Sequence, residues 1–268
     1  MTIMTKRWLG RAVLVSLVLA GVACGAVRAA EAVPPNFVVL MAEAQGWAQT
    51  SVQMDDRVPA SRSRVFSMPA LERLARSGMR FTYGYALSPR CTPSRAALFT
   101  GRGPAALRMT YVGAGRDGGT PRTALIPPEP LLEMPTSELT VAELLKEAGY
   151  TTAHFGKWHL GRTDPARHGF DASDGATSNG GPDNVASPNP KQAYGMTERG
   201  IAFMAKAKAA GKPFYLQLSH YPNRERKEGA RPGRDSATAD ADEIDKTFGL
   251  LLDGLERLGL TGSTYIFY

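Results

Sequence analysis

Four short apolar segments, separated by longer amphipathic stretches, constrain the fold of this chain most strongly. The segments have the length and composition of buried strands, and the stretches between them repeat apolar residues at helical spacing, most clearly from Ile244 to Leu255. Strands that alternate with helices in this way favour a mostly parallel sheet with helices on both faces, so we predict an α/β fold. The predicted strands are Phe37–Ala42, Thr151–Phe155, Pro213–Leu218 and Thr264–Tyr268.

The helix before the second predicted strand carries its own start and stop signals. Thr140 and Glu143 have the spacing of a capping box. Gly149 follows the last apolar position, where glycine commonly ends a helix. These signals predict a helix between residues 140 and 149.

Polar side chains follow three of the predicted strands. Glu43 comes after the first strand, Lys157 and His159 after the second, and His220 after the third. Ligands of open α/β sheets bind beyond the carboxyl ends of the strands, so we expect these residues at one edge of the sheet. Residues two apart on an extended segment point to the same side, which predicts a common direction for Lys157 and His159. His154, inside the second strand, is interpreted as structural.

A helix is also predicted to begin at the segment Cys91–Arg95. Pro93 suits a first helical turn, and Leu98 and Phe99 supply the apolar body of the helix. Cys91 then lies at a helix N-terminus, where backbone N–H groups and the helix dipole favour an anion. The alternative interpretation of this cysteine is a buried structural thiol.

The first thirty residues have the layout of a secretory signal peptide. Basic residues precede the apolar run Ala12–Ala23, and the small residues of Val27–Ala30 offer a cleavage site. The run is shorter than the roughly 20 apolar residues that a membrane-spanning helix needs. The segment before Cys24 lacks the usual leucine of a lipoprotein signal. We therefore predict a signal peptide at 1–30, a folded domain at 31–268, and export to the periplasm or outside the cell. A retained membrane anchor is the alternative.

Removal of that leader changes both the charge and the cysteine content. Four positive charges leave with it, so the formal net charge falls from +7 to about +3. This balance does not argue for nucleic acid as a partner, and it is compatible with an anionic substrate. Cys91 is then the one remaining cysteine, which excludes an internal disulfide and leaves a thiol that needs a role in an oxidising compartment.

Two further segments are predicted to be irregular. Asp171–Tyr194 is rich in Gly, Asn, Ser and Pro, and Asn223–Asp235 is crowded with Arg, Lys and Gly. They are interpreted as solvated loops or, alternatively, as a rim that binds substrate.

The sequence resembles the sulfatase family over essentially all of the mature chain. Cys91–Arg95, continued by Thr100 and Gly101, resembles the family's Cys-x-Pro-Ser-Arg maturation signature. Pro35–Leu40 resembles its first strand, and Gly156–His159 its Gly-Lys-Trp-His motif. The resemblance implies an alkaline phosphatase-like fold, of which residues 31–268 would be a partial catalytic domain.

The resemblance also implies a reaction, the hydrolysis of a sulfate monoester on a sulfated small molecule or a sulfated glycan. In the family, a formylglycine-generating maturation enzyme oxidises the signature cysteine, and the hydrated aldehyde attacks the sulfur and then releases sulfate. Cys91 would accordingly be the nucleophile and also face the metal, while Arg95 orients it. Lys157 would neutralise the sulfate oxygens, and His159 would act as a general base.

The resemblance also implies a sulfate-binding histidine, for which the sequence offers more than one position. His220 lies in a His-x-Pro sequence like that of many relatives, but closer to the strand. A different register would move the function to Asn223 or Arg224, and both alternatives stay open.

The metal ligands depart from the family's pattern. The family binds a divalent cation, usually Ca²⁺, through carboxylate and amide oxygens, and its first strand usually ends in two aspartates. Glu43 and Ala44 occupy those positions here. Glu43 remains a candidate metal ligand, whereas Ala44 cannot be one, and Gln45 or the pair Asp55–Asp56 are the candidate replacements.

The second ligand pair of the family would follow the strand that ends at Tyr268, so the chain is interpreted as truncated. We therefore expect little or no turnover from this chain despite its resemblance to hydrolases. A non-catalytic remnant that binds sulfate esters is the alternative function. A phosphoester or phosphonate hydrolase of the same fold is disfavoured, because those enzymes normally present Ser or Thr where Cys91 stands.

Overall fold

A parallel β-sheet organises residues 34–112, 129–179, 193–221 and 235–268, the part of the chain that the computed structural model describes. Five strands of this part pair in the order β3-β2-β4-β1-β5, and every pair is parallel. The strands are β1 (Asn36–Met41), β2 (Thr151–Gly156), β3 (Ala172–Ser173), β4 (Phe214–Ser219) and β5 (Thr264–Phe267).

The sheet confirms the predicted fold class and corrects one prediction. The four predicted strands are present, and their bounds differ from the prediction by no more than one residue. The segment from Asp171 was predicted to be irregular, but Ala172 and Ser173 pair with β2. Two residues are too few to show an apolar alternation, and this strand exists because its backbone completes the edge of the sheet.

Helices cover both faces of the sheet, as predicted. Helices α1, α4 and α5 pack over one face, and α2 and α3 over the other. They are α1 (Pro69–Ser77), α2 (Cys91–Thr100), α3 (Val141–Glu147), α4 (Ala193–Ala209) and α5 (Asp235–Arg257), with short 3-10 helices at Pro59–Ser61, Pro165–His168 and Thr261–Ser263.

Strand side chains divide between two apolar cores. On β1, Val38 and Leu40 face the core beneath α4 and α5, whereas Phe37 and Val39 pack toward the core beneath α2 and α3. The second core is aromatic, and Trp158 is completely buried in it. Because both faces are covered, β1 carries apolar residues at successive positions from Phe37 to Met41 instead of alternating apolar with polar ones.

The predicted capping box is formed at the start of α3. The side chain of Thr140 accepts a hydrogen bond from the Glu143 N–H, and the Glu143 carboxylate accepts one from the Thr140 N–H at 2.8 Å. Thr140 also donates its hydroxyl to the carbonyl of His168 at 2.8 Å. The cap therefore fixes the helix and ties it to the segment after β2.

Some predicted features lie outside the described residues. These are the signal peptide at 1–30 and most of the two irregular segments, at 180–192 and 222–234. Tyr194, placed in a loop by the prediction, lies in α4. Within the described ranges, no helix combines the length and apolar character that crossing a membrane requires.

Helix α1 is capped by a residue from the far end of the chain. Its own N-cap residue, Met68, offers no side-chain hydrogen bond. Asp245 of α5 supplies one instead, since its carboxylate accepts from the N–H groups of Ala70 and Leu71 at 3.0 and 2.9 Å. A buried carboxylate at a helix N-terminus satisfies free donors and suits the dipole.

We predict that Asp245→Ala lowers the free energy of unfolding by about 1–2 kcal/mol, because two N–H groups at the start of α1 lose their acceptor. Chemical denaturation measures this difference. Asp253→Ala is the matched control, since Asp253 also joins α5 to α1 but pairs with Arg73 in solvent. The control should lose less than about 1 kcal/mol, and equal losses would contradict the capping role.

Candidate functional site

The residues singled out from the sequence surround one edge of the sheet. Glu43 follows β1, Lys157 directly follows β2 and His220 directly follows β4. Cys91 is the first residue of α2, as predicted. The carboxyl ends of three parallel strands therefore face the N-terminus of one helix, which is where ligands of such sheets bind.

The carboxylate of Glu43 is the centre of this site. Its Oε1 accepts hydrogen bonds from Cys91 Sγ at 2.9 Å and from Lys157 Nζ at 2.7 Å. Its Oε2 accepts from Arg95 Nη2 at 2.7 Å. One carboxylate, after β1, thus brings together the candidate nucleophile and Arg95 from α2 and a second cation from the turn after β2.

Burial makes these contacts electrostatically strong. The side chains of Lys157 and Arg95 are 0% and 1% exposed, and that of Glu43 is 9% exposed. Burial alone would raise the pKa of Glu43. The charge of Arg95, the hydrogen bond from Cys91 and the contact with Lys157 outweigh it and lower this pKa to about 2. Glu43 is therefore ionised at neutral pH and balances one of the two cations, which leaves a positive surplus.

Helix α2 is tied to the segment after β2 by two further hydrogen bonds. Arg95 also donates, through Nη1, to the backbone carbonyl of Lys157. Thr92 donates its hydroxyl to the carbonyl of His159 at 2.8 Å. Thr92 occupies the variable position of the Cys-x-Pro-Ser-Arg signature and was not predicted to belong to the site, although a hydroxyl beside a candidate nucleophile was a usable signal.

The turn after β2 requires a glycine. Gly156 has φ +95°, and a Cβ at this position would lie 2.0 Å from the carbonyl oxygen of Ser219. His159 has φ +57° and is thus left-handed rather than extended. The extended geometry from which a common direction of Lys157 and His159 was predicted is therefore wrong at His159.

His220 is held at the same edge in a different way. Its backbone N–H donates to the carbonyl of Met41 at 3.0 Å, next to the end of β1. Its ring is buried, and within the described residues neither ring nitrogen has a hydrogen-bond partner. Burial, together with the charge of Arg95, lowers the pKa of His220 to about 4, so the ring is neutral at pH 7.

His154 packs in the aromatic core and not at the site. Its ring lies 5.2 Å from that of Trp158 and 5.5 Å from that of Phe170, between ring centroids. Burial lowers its pKa to about 3. This placement agrees with its interpretation as a structural residue.

The described residues do not by themselves fit a calcium site. Ca²⁺ takes six to eight oxygen ligands, whereas the oxygens of Glu43 already accept from Cys91, Arg95 and Lys157. No group of three or more His, Cys, Asp or Glu side chains in the described ranges is arranged to hold a metal. The assignment of Glu43 and Cys91 as metal ligands stays a prediction.

The candidate replacements for the missing aspartate are engaged elsewhere. The carboxylate of Asp55 binds Arg57, and that of Asp56 binds Arg80. The side-chain oxygen of Gln45 accepts from the hydroxyl of Tyr268 at 2.5 Å. None of these three side chains forms a hydrogen bond with Glu43 in the described part of the chain.

The arrangement is chemically suited to an anion. Two buried cations face one carboxylate, and the surplus positive charge lies beside a helix N-terminus. Cys91 is partly exposed there, in contact with the same carboxylate. An oxyanion that reached this edge would meet fixed positive charge and a group capable of covalent chemistry.

Comparison with known proteins gives a consistent result. The family model described as Sulfatase matches residues 35–268. N-acetylgalactosamine-6-sulfatase of Mus musculus is 32% identical over 283 residues, which cover 92% of this chain and 52% of that protein. Steryl-sulfatase of Mus musculus is 38% identical over 154 residues, 52% of this chain and 21% of that protein. The chain spans about half the length of the curated relatives that match it over most of its length.

Solved structures share the fold. The crystal structure of Ps i-CgsB in complex with k-i-k-neocarrahexaose superposes with a TM-score of 0.68 at 21% identity, over 87% of this chain and 57% of that one. A protein of the alkaline phosphatase superfamily from Vibrio parahaemolyticus superposes with a TM-score of 0.54 at 17% identity, over 87% of this chain and 53% of that one. At these identities the likeness shows the fold alone, and it confirms the expected alkaline phosphatase-like architecture.

We predict that Glu43→Gln destabilises the protein by about 3 kcal/mol at neutral pH, because Arg95 and Lys157 then lie buried with too little negative charge. The pKa of Glu43 is lowered from 4.5 to about 2, so its contribution is complete above about pH 4.5 and is lost as the pH falls toward 2. The difference between wild type and variant should shrink over that range.

Denaturation curves recorded from pH 7 to pH 3 measure this dependence. Glu256→Gln is the control, because Glu256 pairs with Arg73 in solvent and its loss should change stability little at any pH. A Glu43→Gln difference that stays constant with pH would contradict the ionised, paired state of Glu43.

Proposed function

Because the chain belongs to the sulfatase family, we propose that it is a sulfuric ester hydrolase that uses Cys91, converted to formylglycine, as its nucleophile. The family membership supports the hydrolase class. The residue-level mechanism and the activity of the chain, which spans about half of its relatives' length, are the content of the proposal.

One observation carries the proposal. Cys91 and Arg95 come from α2 and Lys157 from the turn after β2, and all three contact the carboxylate of Glu43 within 2.9 Å. The interpretation of Cys91 as an inert buried thiol does not explain why two buried cations share its acceptor. A nucleophile that must work beside a sulfate group does explain it.

Each residue of this site would have a separate role in the reaction. Formylglycine at position 91 would supply a hydrated aldehyde as the oxygen nucleophile toward sulfur. Lys157 and Arg95 provide the positive charge that sulfate oxygens require, and Lys157 is the compact charge of the two. Arg95 also orients residue 91, since it binds the same carboxylate that Cys91 contacts.

Two histidines have proposed roles that rest on the family resemblance. His159 would act as a general base, and its backbone is held at the site by Thr92. His220 would bind substrate, and its neutral buried ring offers one donor and one acceptor. Asn223 and Arg224, the alternatives to His220, lie outside the described residues.

We propose a sulfated sugar or another sulfated small molecule as the substrate. The name of the mouse relative specifies an N-acetylgalactosamine 6-sulfate group, and the matched Ps i-CgsB structure holds a neocarrahexaose. The proposal includes a formylglycine-generating enzyme as a partner and export of the chain by the leader at 1–30. The formal charge after removal of that leader, about +3, does not favour nucleic acid.

A non-catalytic sulfate-ester binder is the second candidate function. It is favoured by the engagement of Glu43 with two cations and by the absence, within the described residues, of further carboxylates around it.

We predict that co-expression with a formylglycine-generating enzyme converts Cys91. The peptide that contains it should lose about 18 mass units relative to the plain thiol, because an aldehyde replaces the CH₂SH group. Mass spectrometry measures this change. A peptide that stays a thiol would contradict the proposed nucleophile.

The matured protein should then hydrolyse 4-nitrophenyl sulfate slowly, at a rate only modestly above that of Cys91→Ala prepared in the same way. Conversion without turnover, combined with binding of a non-hydrolysed sulfate ester, would favour the second candidate function instead. Turnover well above the control would correct the expectation, drawn from the departures in sequence, that this chain reacts slowly.

We predict no saturable Ca²⁺ binding at micromolar concentration, because the described part of the chain offers one engaged carboxylate, which is too few ligands for a hard cation. Isothermal titration of the chain measures it, and Ala44→Asp, which restores a second carboxylate beside Glu43, should bind more tightly. Saturable binding by the wild type that Glu43→Gln abolishes would show that Glu43 is a metal ligand after all.

A further inference from the structure

We propose that Thr177 is a positioning residue, which holds the turn Gly156–His159 so that the Lys157 ammonium reaches Glu43 beside Cys91. Thr177 lies in the segment that the sequence analysis interpreted as a solvated loop or a substrate rim. Its consequence for turnover rests on the proposed function, whereas its consequence for Cys91 does not.

Thr177 binds three main-chain groups of this turn. Its Oγ1 accepts a hydrogen bond from the Trp158 N–H at 2.9 Å and donates one to the Gly156 carbonyl at 2.6 Å. Its own carbonyl accepts from the His159 N–H at 2.8 Å. The hydroxyl is thus used as donor and acceptor at once, which no apolar side chain of the same shape can reproduce.

The turn needs such support because its conformation is not that of a regular strand. Gly156 and His159 both have positive φ, at +95° and +57°, and the second value is unfavourable for a residue with a side chain. Trp158, between them, is fully buried, so its N–H cannot turn to water if Thr177 Oγ1 is removed.

Lys157 is held from two other directions. Its N–H donates to the carbonyl of Ser219 at the end of β4 at 2.8 Å, and its carbonyl accepts from Arg95 of α2. Thr177 adds a third support, because it binds the backbone of Gly156 and Trp158 on either side of Lys157. With the backbone of Lys157 fixed by β4, α2 and Thr177, its side chain is aimed at Glu43 Oε1.

The segment that carries Thr177 is itself anchored to the fold. Asp174 Oδ2 accepts from the Gly156 N–H at 2.8 Å and pairs with Arg199 of α4 at 2.7 Å. The Thr177 N–H donates to the carbonyl of Gly175 at 2.8 Å. Residues 174–177 are therefore tied both to α4 and to the turn, so their position holds the turn in place.

Two variants separate the hydroxyl of Thr177 from its shape. Thr177→Val keeps the branched side chain and loses the hydroxyl, whereas Thr177→Ser keeps the hydroxyl. Thr197→Val is the matched control, because Thr197 is buried in α4 and donates its hydroxyl to the Ala193 carbonyl at 2.8 Å, within its own helix. The control shows what the loss of a buried hydroxyl does to the fold alone.

The first measurement does not depend on turnover. In protein made without the maturation enzyme, iodoacetamide alkylation of the Cys91 peptide is followed by mass spectrometry at pH 7. Thr177→Val should slow alkylation at least about threefold, because the Lys157 cation withdraws from the thiol's surroundings. Thr177→Ser and Thr197→Val should alkylate at the wild-type rate.

The second measurement uses the matured protein and 4-nitrophenyl sulfate. Thr177→Val should lower kcat about tenfold or more, with a smaller change in KM, since a displaced ammonium costs transition-state charge stabilisation. Thr177→Ser should restore kcat to within about threefold of wild type. Thermal denaturation should show comparable losses of Tm for Thr177→Val and Thr197→Val.

Each outcome decides the proposal. Alkylation of Cys91 at the wild-type rate in Thr177→Val overturns it, as does a Ser variant that behaves like the Val variant. A wild type without turnover removes the proposed function but leaves the alkylation result to decide the role of Thr177. If Thr177→Val fails to fold, the Thr177→Ser and Thr177→Ala pair is compared by the same alkylation, and equal rates overturn the proposal.

Discussion

The carboxylate of Glu43 is the interaction on which the site depends. Lys157 and Arg95 are cations without exposure to solvent, and a buried cation is tolerable only beside a negative charge. Glu43 provides that charge to both, and it also accepts the hydrogen bond from Cys91. The same carboxylate therefore makes the two cations compatible with folding and brings them next to the candidate nucleophile.

The sequence predicted the fold well because the fold is expressed in local patterns. Apolar runs gave β1, β2, β4 and β5, and a capping box gave α3, since these signals lie within a few residues of the elements they specify. Strand β3 was missed, because two residues carry no periodicity and its existence depends on its neighbour. The cap of α1 by Asp245 was invisible for a similar reason, as the partners are some 175 residues apart.

The site was predicted in part. The motif identified Cys91, Arg95 and Lys157, and the rule on strand ends placed Lys157 at the edge where the structure brings the three together. The pairing of Glu43 with both cations could not be predicted from sequence spacing. Its side-chain contacts connect the segments after β1 and β2 with α2, which are far apart in the sequence. The left-handed turn at His159 was likewise hidden, since no glycine marks it. Sequence patterns locate chemistry, and tertiary contacts decide its geometry.

The buried histidines make the stability of the native state depend on pH. Burial lowers the pKa of His154 to about 3, that of His220 to about 4, and also that of His168. These rings stay neutral in the native state, while the same rings in an unfolded chain take up protons below about pH 6.5. Unfolding therefore consumes protons, and acid shifts the equilibrium toward the unfolded chain. The interior imidazoles therefore lower the stability of the native state as the pH falls below about 6.5, and the loss of the Glu43 charge adds to this at still lower pH.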